Sequence, residues 1–225
     1  DRFQPALPVG AEHGDLVKMK SPRGFPEKSE VAMNLYEKQL FDNGRLILTA
    51  CDLEQDPAVE SAWSHDLLYG RWLLDEPARP MTVFELKKLY EKQAKESDEN
   101  GRQFNFAVRL KEEGKLVGFI RIPWVMWNNN LCKLRLYLPD DEAVEAYGED
   151  VMQLALNFIF RELNLELVMV DLSGAQAAQR TLIEKYGFSL DVRRREALYQ
   201  HGKLWDELIY SMRSAVWFKQ AQEAA

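Results

Sequence analysis

Alternating hydrophobic and polar positions mark three regions of the chain, and each is interrupted by a turn signal containing Gly. This combination predicts β-hairpins, because period-two alternation gives a strand one apolar face and the turn residues tolerate a positive φ. The predicted hairpins are residues 34–52 around Asp42-Asn43-Gly44, residues 104–125 around Glu112-Glu113-Gly114, and residues 189–214 around His201-Gly202. We interpret residues 45–51 as the first strand of the main sheet.

Apolar positions with helical spacing occupy most of the remaining chain. Capping signals mark two helix starts: Asp56 precedes Pro57, which suits a first helical turn, and Thr82 with Glu85 matches a capping box. The predicted helices are residues 56–74, residues 82–96, residues 151–163, a helix ending near Tyr186, and a short closing helix at 214–225.

The middle of the second half has the order strand, loop, helix, strand. The segments are a strand at 133–139, a polar loop at 140–149, the helix at 151–163 and an apolar strand at 165–172. Two strands joined by one helix are expected to be parallel neighbours. The loop that opens the helix predicts an anion-binding cradle, because free N–H groups and the helix dipole converge there.

The whole pattern predicts an α/β (α+β) fold. We expect a central mixed, mostly antiparallel sheet of about seven strands with about four helices, and a parallel pair at strands 4 and 5. Residues 1–30 are dense in Pro and Gly and predict an irregular N-terminal arm. Residues 31–225 are therefore predicted to form a single domain.

Composition and charge exclude several functional classes. Hydrophobic residues make up 46% of the chain and charged residues 29%, an ordinary globular balance. The formal net charge of -7, without a dense basic run, argues against nucleic-acid binding. Cys51 and Cys132 lack paired spacing and the three histidines are scattered, so we expect a reducing, cytoplasmic setting without a disulfide or metal site. No apolar run approaches a membrane span, and the polar N-terminal residues do not match a secretion signal.

Three segments carry a resemblance to a known family. They read FAVRLKEEGKLVGFIRI (106–122), IEKYGF (183–188) and REALYQHGKLWDELIYSM (195–212). With the element order, they resemble the GNAT N-acetyltransferases, and most of all the branch that acetylates protein N-termini and small amines. The resemblance covers roughly residues 44–217. It implies transfer of an acetyl or related acyl group from acyl-CoA to a primary amine, by direct attack of the amine on the thioester.

The resemblance implies where the coenzyme would lie. The thioester would lie in the gap where the fourth and fifth strands, a splayed parallel pair in the family, move apart. Main-chain N–H groups of the fourth strand would polarise its carbonyl, and the next loop would hold the diphosphate. The family pattern Arg-Gly-x-Gly-x-Ala (or Gly) falls on residues 143–148, where the leading Arg and the first Gly are absent and Glu145 adds negative charge. The implied coenzyme-contacting residues are Leu136, Leu138, Val144, Glu145, Ala146, Tyr147, Gly148, Gln176, Gln179 and Arg180.

The helix after the fifth strand departs from the family in a conservative way. Gln176 and Gln179 occupy the places of an Asn and a Ser that contact the coenzyme in the family. Gln keeps an amide that can hydrogen-bond over a longer reach. A polar helix end that faces solvent is the equally open alternative for both, and Arg180 is either a phosphate contact or simply solvated.

The chemistry requires a group that takes a proton from the ammonium form of the acceptor and one that protonates the leaving thiolate. The family places an acidic Tyr five residues before the Phe of the Gly-Phe pair, and that position is Ile183 here. Tyr186, three positions along, or water is the candidate acid. The resemblance favours Asp206 as the base or amine-orienting group. Asp171 is a second candidate, with capping of the next turn as its alternative role.

Aromatic side chains are candidates for the acceptor side. Trp124 and Trp127 could form an aromatic wall or a cage for an ammonium group, and Trp63, Tyr199 and Tyr210 could line the acceptor groove. Core packing is the default role of all five, and a homodimer interface is a further alternative for the first two.

Two other functions stay open on the sequence. A protein of this fold with a decayed coenzyme loop would bind a ligand or partner without catalysis. An altered loop would also suit an acyltransferase with a siderophore-type hydroxylamine acceptor.

Overall fold

A computed structural model describes residues 40–66, residue 69 and residues 78–223. The predicted arm at 1–30 and most of the first strand of the predicted hairpin at 34–52 lie outside the described residues. So does most of the first predicted helix beyond residue 66.

One seven-stranded sheet forms the centre of the protein, with the strand order β1-β2-β3-β4-β5-β7-β6. Its strands are β1 (Leu46–Thr49), β2 (Phe104–Leu110), β3 (Leu116–Met126), β4 (Leu131–Tyr137), β5 (Leu167–Ser173), β6 (Ser189–Gln200) and β7 (Lys203–Arg213). The β4–β5 pair is parallel and the other five pairs are antiparallel. The prediction of a mixed sheet with a parallel pair at strands 4 and 5 is confirmed.

Five α-helices are present in the described part of the chain: the four expected ones and the predicted short closing helix. They are α1 (Asp56–Trp63), α2 (Val83–Asn100), α3 (Asp141–Asn157), α4 (Ala177–Lys185) and α5 (Ser214–Glu223). A π-helical turn at Phe158–Glu162 extends α3. The capping box at the start of α2 is present as predicted: the Thr82 side chain accepts from the Glu85 amide and the Glu85 carboxylate accepts from the Thr82 amide.

Helices cover both faces of the sheet. On one face, Phe158, directly after α3, packs edge-on against Phe104 and Phe106 of β2. On the other face, Trp63 of α1 and Tyr90 of α2 pack edge-on against Phe119 of β3. The buried apolar side chains between these layers form one continuous core.

The predicted polar loop at 140–149 is helical, which corrects the sequence analysis. Helix α3 begins at Asp141 rather than Val151. Asp140 is the N-cap, and its side chain accepts a hydrogen bond of 2.7 Å from the amide of Ala143. The first two turns consist mainly of Glu and Ala, which are good helix formers, and lack the early glycines that would hold a loop open.

None of the helices in the described ranges is long and apolar enough to cross a membrane. Within the same ranges, no group of three His, Cys, Asp or Glu residues could hold a metal ion.

Candidate active site

A cleft opens in the sheet where the two parallel strands part. β4 and β5 pair only from Leu131 with Leu167 to Lys133 with Met169. Beyond that point β4 stays paired with β3 up to Tyr137, and β5 stays paired with β7 up to Ser173. The divergence therefore leaves a gap between two strands that are each held firmly on their outer sides.

The cleft has a volume of about 490 Å³, counted with the solvent at its mouth. Its walls are the ends of β4 and β5, and α3 and α4 close it on one side. The lining residues are Arg135, Leu136, Tyr137, Leu138, Val144, Val170, Asp171, Leu172, Gln176, Gln179, Leu182 and Ile183. Of the ten residues expected to contact the coenzyme, five line the cleft, namely Leu136, Leu138, Val144, Gln176 and Gln179, and the other five do not.

The two glutamines at the start of α4 are both buried. Gln176 is fixed, because its side-chain oxygen accepts a hydrogen bond of 2.7 Å from the amide of Ser173. Gln179 is 6% exposed, and its Oε1 is buried without a hydrogen-bond partner among the described residues. A buried amide oxygen costs free energy when it lacks a donor, so this atom is available to an N–H group entering the cleft.

Asp171 is the one carboxylate in the cleft wall among the residues that the structure describes. It lies on β5 two residues beyond the last β4–β5 pair, and its carboxylate forms an ion pair with Lys133 of β4. Both side chains are mostly buried. The predicted turn-capping role does not describe this arrangement, because the carboxylate reaches across the sheet rather than toward the next turn. Sequence reasoning missed Lys133; a lysine inside an apolar strand was the available signal.

Tyr186 points away from the cleft. Its hydroxyl donates a hydrogen bond of 2.7 Å to the main-chain oxygen of Glu149 on α3, and its ring stacks on Trp217 of α5. Burial, followed by the nearby carboxylates, raises the pKa of Tyr186 to about 12. The residue that faces the cleft from this helix turn is Ile183. This geometry opposes the predicted role of Tyr186 as the acid.

Asp206 is also directed elsewhere. Its carboxylate accepts from the Glu196 amide at 3.0 Å and from Arg193 Nε at 2.5 Å. Glu196 has a φ of 48° and lies where the register of β6 against β7 shifts between Arg194 and Leu198. These hydrogen bonds hold the pKa of Asp206 below its usual value. The carboxylate thus secures a bulge in β6, which opposes the predicted role as a base.

Three of the aromatic acceptor candidates lie away from the cleft. Tyr210 is buried on β7, and its hydroxyl donates to Glu184 of α4 at 2.7 Å. Tyr199 is 73% exposed at the end of β6, next to the hairpin turn. Trp127 lies in the short 3-10 turn before β4, whereas the cleft is at the other end of that strand.

The other two aromatic candidates lie on the sheet face that α1 and α2 cover. Trp124 of β3 stands opposite Lys133 in the strand register and is partly buried. Trp63 packs against Tyr69 and Phe119 with ring centroids 5.8 and 5.9 Å apart. Core packing accounts for Trp63, and Trp124 is the aromatic neighbour of the Lys133–Asp171 pair.

The expected diphosphate contacts on α3 are mostly engaged in other interactions. The carbonyl of Ala146 accepts a hydrogen bond of 2.9 Å from Arg45, whose guanidinium lies 4.8 Å from the centre of the Tyr147 ring. Gly148 packs so closely on α4 that a Cβ there would lie 2.9 Å from Leu182 Cδ2. On α4 itself, the side chain of Arg180 is exposed.

A buried ionic cluster next to the cleft was not found from the sequence. Glu60 of α1 is fully buried and accepts two hydrogen bonds from Arg121 of β3, at 2.9 and 2.8 Å. Tyr69 and Tyr90 donate their hydroxyls to the same carboxylate. The Arg121 guanidinium lies 4.6 Å from the centre of the Tyr137 ring, which lines the cleft. The sequence feature that could have indicated this cluster is the arginine within the apolar run FIRI of β3.

The amino-acid sequence matches the family model of the acetyltransferase (GNAT) domain over residues 45–189. No curated protein matches the chain significantly.

Solved structures show the same fold at low sequence identity. A spermidine N-acetyltransferase from Vibrio cholerae in complex with CoA and spermine has a TM-score of 0.67 at 16% identity, covering 78% of this chain and 99% of that one. Mutant forms of the spermidine/spermine N-acetyltransferase SpeG from the same organism give 0.64 at 15% identity, covering 80% and 99%. A probable acetyltransferase gives 0.67 at 15% identity, covering 80% and 98%.

Proposed function

Because this chain belongs to the acetyltransferase (GNAT) domain family, whose reaction is acyl transfer from acyl-CoA to an amine, we propose how its own residues perform that reaction. The acyl-thioester arm of the donor lies in the β4–β5 cleft, and Asp171 orients the acceptor amine and takes its proton. The observation that carries this proposal is the cleft itself. Among the described residues, its wall has one carboxylate, Asp171, and one buried amide oxygen without a hydrogen-bond partner, that of Gln179.

The shape and polarity of the cleft suit a thin, mostly apolar thioester arm with a few amide groups. Most of the side chains that line it are apolar. The unpaired oxygen of Gln179 can accept a hydrogen bond from an amide N–H of the arm. The pairing of β4 with β5 ends at Lys133 and Met169 in the described structure, so an N–H of Leu136 or Leu138 can polarise the thioester carbonyl.

Asp171 has the chemistry and position that the acceptor requires. An ammonium group must lose a proton before its nitrogen can attack, and a carboxylate can accept that proton. In the reaction a C–N bond forms and the C–S bond breaks, and the leaving thiolate takes a proton from solvent or the second proton that the attacking nitrogen loses as the amide forms. Lys133 balances the charge of Asp171 in the resting protein, and an acceptor ammonium group would offer the carboxylate the same kind of partner.

We propose a cationic primary amine as the acceptor. The formal net charge of -7 favours the approach of a positively charged substrate. Proteins of the same fold are spermidine N-acetyltransferases, one of them solved with spermine, so polyamines belong among the first acceptors to test.

The test is a thiol-release assay with acetyl-CoA and a panel of primary amines, comparing Asp171→Asn with the exposed control Asp191→Asn. We expect Asp171→Asn to lower kcat/KM by about 100-fold or more, with partial recovery at high pH, where the amine is already deprotonated. The control should retain activity within about 2-fold.

A second variant separates catalysis from folding, because Asp171→Asn leaves Lys133 buried without its partner. Lys133→Met combined with Asp171→Asn removes both charges and should fold, yet it should remain as inactive as the single variant. Activity of Asp171→Asn within about 3-fold of the parent protein would remove Asp171 from the mechanism, and absence of turnover with every amine would overturn the proposed function.

A further inference from the structure

The helix that should receive the diphosphate of the coenzyme is strongly acidic. Helix α3 and its N-cap carry carboxylates at Asp140, Asp141, Glu142, Glu145, Glu149 and Asp150. The chain has no Lys or Arg between Arg135 and Arg161. A helix N-terminus normally attracts anions through its dipole and free N–H groups. Here carboxylates of the protein itself surround the N-terminus of α3 and take the place of an external anion.

The main-chain N–H groups of residues 143–148, where the family pattern falls, are not available to a ligand. The Asp140 side chain takes the amide of Ala143, and the Asp140 carbonyl takes the amide of Val144 at 3.2 Å. Residues 145–148 lie inside the helix, where each amide donates to the carbonyl four residues before it. The small residue Gly148 serves close packing on Leu182 rather than the approach of a phosphate.

The basic side chains near α3 are mostly committed. Arg45 donates to Asp150 Oδ2 at 2.9 Å as well as to the Ala146 carbonyl, and Lys185 pairs with Glu149. Arg135 lies in the cleft wall, but it stands opposite Arg121 in the strand register and therefore on the sheet face toward α1, away from α3. The exposed Arg180 remains as one cation at the start of α4.

We infer that this protein recognises its acyl donor through the pantetheine thioester arm alone and leaves the diphosphate and nucleotide unheld. The inference rests on the proposed function. Its substrate class is therefore acyl thioesters of pantetheine in general, of which acyl-CoA is one. The cleft supplies the contacts for the arm, and the acidic surface of α3 opposes the charged remainder of the molecule.

Binding measurements on the full chain test this without relying on turnover. Calorimetric titrations compare CoA, pantetheine and adenosine 3′,5′-bisphosphate, which stands for the nucleotide half. We expect pantetheine to bind within about 5-fold of CoA, and the bisphosphate to show no saturable binding. Affinity for CoA should rise with salt, because screening weakens the repulsion by the carboxylates. CoA binding more than about 50-fold tighter than pantetheine, or saturable binding of the bisphosphate, would overturn the inference.

A variant with fewer carboxylates on α3 tests whether their charge is what weakens CoA binding. Asp141→Asn combined with Glu145→Gln removes two charges from the first turns of α3 and should tighten CoA binding by about 3-fold or more at low salt. Its affinity for pantetheine should stay within 2-fold of the parent. The matched control is Glu162→Gln, at the far end of the same helical segment, which should change neither. Unchanged CoA affinity in the double variant, or an equal change for pantetheine, would contradict the electrostatic argument.

Turnover then distinguishes this inference from the proposed function. If acetyl-CoA is turned over and the kcat/KM for acetyl-pantetheine is more than about 50-fold lower, the inference is wrong and the proposed function still holds. If pantetheine binds but neither thioester is turned over, the proposed function is wrong, whereas recognition of the pantetheine arm still holds.

Discussion

The carboxylate of Glu60 is buried and forms an ion pair with Arg121. The substitution Glu60→Gln replaces this carboxylate with a neutral amide and so removes the counter-charge of Arg121. Burial alone would lower the pKa of Arg121, but the Glu60 carboxylate raises it, so the guanidinium stays charged in the core. In the variant, the new amide NH₂ also faces hydroxyl groups that are donors in the parent protein. Tyr69 donates to Glu60 at 2.6 Å, and Tyr90 donates to its second oxygen.

The expected loss of stability follows from breaking a buried ion pair by removing one partner, which costs about 3–5 kcal/mol. For a chain of this size, that corresponds to a decrease in Tm of roughly 6–20 °C. Urea denaturation followed by tryptophan fluorescence measures the loss as a lower midpoint at unchanged slope. The exposed control Glu96→Gln, which breaks the Lys92–Glu96 pair on α2, should cost under about 0.5 kcal/mol.

A charge-free double variant completes the design. Glu60→Leu with Arg121→Met replaces both charges by apolar side chains and should be more stable than either single variant, since no charge is left unpaired. A loss of stability below about 1 kcal/mol in Glu60→Gln would refute the argument that removing one partner of this buried ion pair is costly. A double variant no more stable than the single variants would refute it as well.

Two further variants concern residues whose contacts in the structure differ from those that the sequence predicted. Because hydrogen bonds from the Glu196 amide and Arg193 hold the pKa of Asp206 below 3.8, its contribution to stability should be present above that pH and vanish as the pH falls. The urea midpoints of the parent protein and Asp206→Asn should therefore differ at pH 7 and converge below about pH 3.8, with turnover at pH 7 largely kept; a constant difference would contradict this. Gly148→Ala should change the free energy of unfolding by less than about 1 kcal/mol, because its Cβ would meet only the end of the Leu182 side chain, Cδ2 at 2.9 Å, and the gain in helix propensity offsets the adjustment of that side chain. A loss above about 2 kcal/mol in urea denaturation would show that the contact between α3 and α4 cannot adjust.

Local patterns predicted the elements well, because their signals are contained within a few neighbouring residues. Thr82 and Glu85 form the capping box that their spacing indicated, and Gly114 has the positive φ that its hairpin turn requires. The start of α3 was misplaced because the family pattern suggested a loop where Glu and Ala favour a helix. The local propensity of residues 141–147 would have predicted the correct start.

The candidate site was predicted less well, because it depends on where side chains point after distant strands meet. Leu136, Leu138 and Gln179 line the cleft as their place in the family pattern implied. Asp206 was expected to act in catalysis, but the β6 bulge turns it toward Arg193 and the Glu196 amide.

The sequence alone determined the order of strands and helices, the parallel pair and the family, since each follows from periodicity, caps and short motifs. Only the tertiary structure decided that Asp171 rather than Asp206 is in the cleft wall, and that Gln179 has an unpaired oxygen there. The physical reason is that a strand residue changes faces with a register shift of one position. Register depends on bulges and on pairing partners far away in the chain, which no local pattern records.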